Sequence, residues 1–135
     1  MEKIIDDLWI ITNDGLVIFT SSEHTFDDNL FGAFLTAINI FVKEISNDML
    51  RMFEISDKRY ILVKERNLMF VASSYIGINE DLIKEKMNLI IERFLKLYPR
   101  DFFEKWNHDT NKFLNFEIEM DNINQNRIEK LLKAI

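Results

Sequence analysis

Cysteine is absent from the 135-residue chain. That excludes a disulfide framework, a thiolate zinc site, an iron–sulfur cluster and a cysteine nucleophile. Proline occurs once and glycine three times, too few for a collagen-like, linker-rich or glycine-loop architecture. With only Gly15, Gly32 and Gly77, neither the phosphate loop Gly-x-x-x-x-Gly-Lys-Ser/Thr nor the dinucleotide pattern Gly-x-Gly-x-x-Gly can be assembled. Binding of a nucleotide phosphate by this chain is therefore not expected. Basic residues are in deficit: 17 Lys and Arg against 23 Asp and Glu leave a net charge of −6. A nucleic-acid binder needs a basic surface to release counterions, so nucleic acid is not an expected partner. No apolar run approaches the roughly 18 residues that span a bilayer, and no transmembrane segment is expected. The opening Met1-Glu2-Lys3-Ile4-Ile5-Asp6-Asp7 has neither the basic start nor the apolar core of a signal peptide. The expected location is the cytoplasm.

What is present reads as one folded domain over residues 1–135, since 47% of residues are hydrophobic and 30% charged. Leu8 to Thr12 is β-branched and aromatic and predicts a strand. Asn13-Asp14-Gly15 follows as a hairpin turn, tolerant of the positive φ that tight primed turns require. Leu16 to Thr20 predicts the returning strand. Neither strand alternates cleanly, so both faces of the sheet are expected to be covered. Asp27 or Asp28 can cap a helix. Phe31, Phe34, Leu35, Ile38, Phe41, Val42 and Ile45 then recur at helical spacing, and Phe34 is expected in that buried stripe. Gly32, Ala33, Thr36 and Ala37 lie between them and permit close approach to a sheet or a partner. Ser46-Asn47-Asp48 ends the helix.

Leu50 to Ile55, Tyr60 to Lys64 and Leu68 to Ser74 predict an antiparallel meander, joined by short polar turns. Asn79, with Glu80 and Asp81 behind it, caps a second helix. Its apolar positions are Leu82, Ile83, Met87, Ile90, Ile91, Phe94 and Leu97, and Tyr98-Pro99 stops it. Phe102, Phe103 and Trp106 form an aromatic cluster in a short helical turn. An extra C-terminal helical segment is expected over about residues 100–135, carried by Phe113, Phe116, Met120, Ile123, Ile128 and Leu131 and weakened across Asn122 to Asn126. The fold class is thus α+β: a five-stranded antiparallel sheet with helices on both faces, in the order ββαβββαα.

This order of elements resembles the longin domain, a profilin-like sheet-and-helix fold. Leu8 to Phe19 resembles that family's opening hairpin, and Asn29 to Ile38 its first helix. The meander of Arg59 to Lys64 with Leu68 to Ala72 also fits. Phe113-Leu114-Asn115-Phe116 to Asp121-Asn122-Ile123 is similar to the C-terminal helix of small adaptor-complex chains, themselves longin-like. The related roadblock fold normally has a helix before the hairpin. This chain begins almost directly in a strand, which favours longin. The resemblance implies a non-enzymatic platform: a homodimer, or a heterodimer with another longin- or roadblock-like chain, serving small Ras-like GTPases or a trafficking scaffold, and peripheral to membranes through its partners. From Ile123 the chain runs only to Ile135, too short for a coiled-coil SNARE motif, so a fusion SNARE is not expected. In a longin-like sheet the second and third strands lie at the edges. The candidate interface is then Gly32, Ala33, Thr36 and Ala37 on the helix, with Leu16, Ile18, Leu50 and Met52 on the outer strands.

The chemistry-bearing residues give no competing constellation. His24 and His108 are the only histidines, and neither belongs to a helical His-x-x-x-His or His-Glu-x-x-His pattern. His24 beside Glu23, Asp27 and Asp28 is the strongest metal candidate, with solvated loop histidines as the plainer reading. Asp27-Asp28 and Glu80-Asp81 read as helix caps, and Asp6-Asp7 as the solvated entry to the first strand. Ser21-Ser22 and Ser73-Ser74 lack a Gly-x-Ser-x-Gly elbow and a base partner, and Ser73-Ser74 is expected to end its strand. Lys58-Arg59, Lys64-Glu65-Arg66 and Lys84-Glu85-Lys86 read as solvated turns and a helix face. No catalytic residue, metal or cofactor is expected. The alternative function is a small ligand-sensing domain of a related profilin-like or PAS-like fold, which requires a cavity lined by polar groups.

Overall fold

A computed structural model of the chain describes residues 4–21, 27–120 and 123. Two compact units divide it, Met1–Lys86 and Met87–Ile135, with the boundary inside the second long helix.

The first unit holds β1 (Asp7–Thr12), β2 (Val17–Ser21), α1 (Asp28–Ser46), β3 (Met52–Ile55), β4 (Lys58–Glu65) and β5 (Leu68–Tyr75). The five strands form one antiparallel sheet in the order β2-β1-β5-β4-β3. The edges are thus the second and third strands, as the longin resemblance implies. Central β5 is buried from Leu68 through Ser74, and β1 from Leu8 through Ile11. A strand buried on both faces has no reason to alternate, which accounts for the unbroken apolar runs. On one face Trp9, Ile11, Leu62, Met69 and Val71 form a core cluster with Leu35 of α1.

Turn chemistry sets the register. Arg66 and Asn67, between β4 and β5, both have positive φ, the geometry of a primed two-residue hairpin turn. Gly15 adopts φ +91° and leaves room for α1: a Cβ on Gly32 would lie 2.3 Å from the Gly15 carbonyl oxygen. Asp27 caps α1, its carboxylate accepting the Asn29 N–H at 2.8 Å. Asn47 closes the helix in the left-handed conformation.

Two expectations are corrected inside this unit. Ser73 and Ser74 do not end β5 but lie within it, fully buried. Their hydroxyls donate to Asp7 Oδ2 at 2.9 Å and to the Ile4 carbonyl at 2.6 Å, so burial leaves neither unsatisfied. Asp6-Asp7 is not merely a solvated entry. Asp6 pairs with Lys58 of β4 and Asp7 receives the Ser73 hydroxyl. The Asp6 carboxylate raises the Lys58 pKa, against the opposing effect of partial burial.

α2 (Glu80–Leu97) begins with Asn79 accepting the Asp81 N–H at 2.8 Å. In the second unit the later turns of α2 are followed by α3 (Arg100–Glu104), a 3-10 turn (Thr110–Phe113) and helical residues 116–120. Phe102, Phe103 and Trp106 are half-buried here, packed around fully buried Phe113 at ring separations of 5.6, 5.8 and 5.2 Å. Phe94 of α2 and Tyr98 just after it complete the cluster, and the Tyr98 hydroxyl donates to the Lys112 carbonyl at 3.1 Å. Ile123 is buried, while the rest of the breaking point over Asn122–Asn126 and the positions Ile128 and Leu131 lie outside the described residues.

Candidate interaction surface

Helix α1 carries two apolar stripes. Phe31, Leu35, Ile38 and Val42 turn toward the sheet and are buried or half-buried. Leu30, Phe34, Phe41 and Ile45, a few residues away at the same helical spacing, are exposed, with Leu30 at 70% and Ile45 at 68%. Phe34 is therefore not in the buried stripe: 44% of it is accessible. The reason is the seat of Gly32. Its close approach to Gly15 fixes the rotation of the helix, and the row through Gly32 and Leu35 is the one that faces inward.

An aromatic series connects the outer stripe to the core. The ring of Phe34 meets Phe53 of β3 edge-on at 6.4 Å, and Phe53 stacks on Tyr60 at 4.7 Å. Tyr60 and Phe31 both meet buried Trp9. Burial raises the Tyr60 hydroxyl pKa. Beside this series the β3 edge leaves Met52 and Ile55 exposed, and among the described residues no strand pairs with its outer side.

The candidate residues divide by position. Ala33 and Ala37 are exposed beside Phe34 and Phe41, and Met52 is exposed on the β3 edge. Gly32 is buried, with Gly15 and Val17 its nearest neighbours. Thr36 is half-buried, its hydroxyl donating to the Gly32 carbonyl at 2.9 Å. Leu16 and Leu50 are half-buried and Ile18 is buried. The sequence reading missed Leu30 and Ile40 as surface residues. The available signal was a surplus: α1 has more apolar residues than one stripe can hold.

Chemical groups elsewhere do not converge. Among the described residues, no three His, Cys, Asp or Glu side chains are placed to share a metal ion. His24 and Glu23 lie outside the described residues, while Asp27 caps α1 and Asp28 accepts the Trp9 indole N–H at 3.2 Å. His108 stacks on Trp106. Among the described residues no helix is long and apolar enough to cross a membrane.

No family model matches the chain, and no curated protein matches it by sequence. Solved structures match by fold. The chain is similar to Myxococcus xanthus MglB, at 11% identity and a TM-score of 0.55, over 70% of this chain and 83% of that one. It is similar to a roadblock/LC7 domain from Streptomyces avermitilis, at 11% identity and a TM-score of 0.54, over 72% and 87%. A gliding protein MglB from Thermus thermophilus matches at 5% identity and a TM-score of 0.51, over 59% and 67%. The fold is thus the longin-like sheet-and-helix architecture that roadblock/LC7 domains share.

Proposed function

We propose that residues 1–135 act as one longin-like domain with an extra C-terminal helical segment, and that it is a non-enzymatic, cytoplasmic interaction module. It pairs with a second copy or with a related longin- or roadblock-like chain, and the pair serves a small Ras-like GTPase or a scaffold. The observation that carries this reading is the exposed apolar stripe of α1 lying beside an open sheet edge. Apolar side chains at this density on one face are a docking surface, and an unpaired strand invites another chain. A symmetric pair uses the same patch twice. The GTPase part rests on the longin resemblance and on the likeness in fold to roadblock-type proteins.

Sedimentation velocity at micromolar concentration tests the pairing. A species of about twice the 16.2 kDa chain mass is expected, and Ala33→Arg or Ala37→Arg returns it to monomer. Both alanines are exposed, so the circular dichroism of the variants stays that of the parent. A monomer that also captures no longin-like or roadblock-like chain overturns the reading. Pull-down with GDP- and GTP-loaded Ras-like GTPases tests the second half.

A further inference from the structure

A groove of about 310 Å³ opens within the first unit along the seam between α1 and the sheet. Thr12 and Asn13 reach it from the end of β1, Thr36, Asn39 and Lys43 from successive turns of α1, and Lys64 from β4. Its volume is at the lower limit of small-molecule sites, and its polar groups come from several elements at once.

The wall is fixed in advance. The Asn39 amide donates to Met69 Sδ at 3.3 Å and accepts the Leu50 N–H at 3.0 Å. The Thr36 hydroxyl is held by the Gly32 carbonyl. The cations are not committed: among the described residues the ammonium groups of Lys43 and Lys64 make no ion pair or hydrogen bond. Among the described residues the one acid on the lining, Asp48, is already matched. It accepts the Met49 N–H at 2.8 Å and pairs with Arg51 at 3.1 Å, and these two contacts hold its pKa below the usual carboxylate value. In a chain of net charge −6, the groove therefore presents two positive charges with no acid assigned to them.

We infer that this groove binds a small organic anion, one that carries a carboxylate or a phosphate for Lys43 and Lys64. An ammonium is a point charge and accepts either geometry. The Asn13 side chain offers a donor and an acceptor to the remainder of such a molecule. The inference does not depend on self-association, because the groove is complete within one chain.

The test is an NMR titration of the isotopically labelled full chain, with citrate in one series and inorganic phosphate in another, sodium chloride holding ionic strength constant. Saturable shifts are expected at the amides of residues 12–13, 36–43 and 64. The probe that saturates identifies carboxylate or phosphate as the preferred group. The double variant Lys43→Gln, Lys64→Gln removes two exposed side chains, keeps the parent circular dichroism, and binds at least about tenfold more weakly. Absence of saturable shifts with both probes, or unchanged shifts in the double variant, overturns the assignment.

Discussion

Leu35 and Phe34 are adjacent in sequence and stand in opposite environments. Leu35 is fully buried in the cluster with Trp9 and Val71, whereas Phe34 leaves nearly half its surface in solvent. Leu35→Ala is expected to cost about 2–5 kcal/mol through lost burial and a residual cavity. Phe34→Ala, measured at a concentration where the chain is monomeric, is expected to cost less than about 1 kcal/mol, because a partly solvated ring leaves little cavity behind. Urea denaturation of both variants reads the contrast, and equal losses would place Phe34 in the core after all. Local signals were legible at this scale. Asp27 and Asn79 announce helix starts because a cap bonds only a few residues away. Ser73 and Ser74 were not legible, since their partners Asp7 and Ile4 lie far off in sequence and only the sheet brings them together.

At the scale of elements, the strands and both long helices could be read from periodicity and turn residues, and the boundaries agree to within a few residues. The orientation of α1 could not. A helix with two apolar stripes satisfies the same three- and four-residue spacing whichever one faces inward, and tertiary packing decides. The β3 edge has an orientation of its own. Leu62 N–H donates to the Arg51 carbonyl at 2.9 Å, and Met52 is opposite Ile61. Bonded pairs alternate along an antiparallel ladder, so the N–H groups of Met52 and Glu54 point away from β4. A proline at Met52 removes an outward donor at the first residue of an edge strand, where the ring is tolerated. Met52→Pro is expected to weaken self-association by about tenfold or more with unchanged circular dichroism. An unchanged association constant would move the interface onto the helix alone.

Over the whole molecule, the protonation of a few groups sets the alkaline limit of stability. Lys58 is held charged by Asp6, so its folded pKa lies above the unfolded one. Tyr60 and Tyr98 are held neutral by burial, and their folded values are raised as well. In each case the folded chain binds the proton more tightly. The contribution is fully present below the unfolded pKa and is lost as pH rises through the folded one. Stability is therefore expected to decline above a pH of about 10, read as a falling urea midpoint. Lys58→Met removes part of that slope, and a midpoint independent of pH between about 9 and 11 would show that these contacts contribute nothing.

The two tryptophans are distributed one to each compact unit. Trp9 is sealed within the sheet core, and Trp106 is half-buried against His108 and Phe113. The chain is thereby supplied with two intrinsic optical reporters, each confined to its own half. Trp106→Phe leaves an emission from the sheet alone, and Trp9→Phe an emission from the aromatic cluster alone. Acrylamide is expected to quench Trp106 readily and to spare Trp9. Melting curves of the two single-tryptophan proteins then follow each half separately: coincident transitions mean that the halves melt as one cooperative unit, and separated transitions that each keeps its own thermal limit.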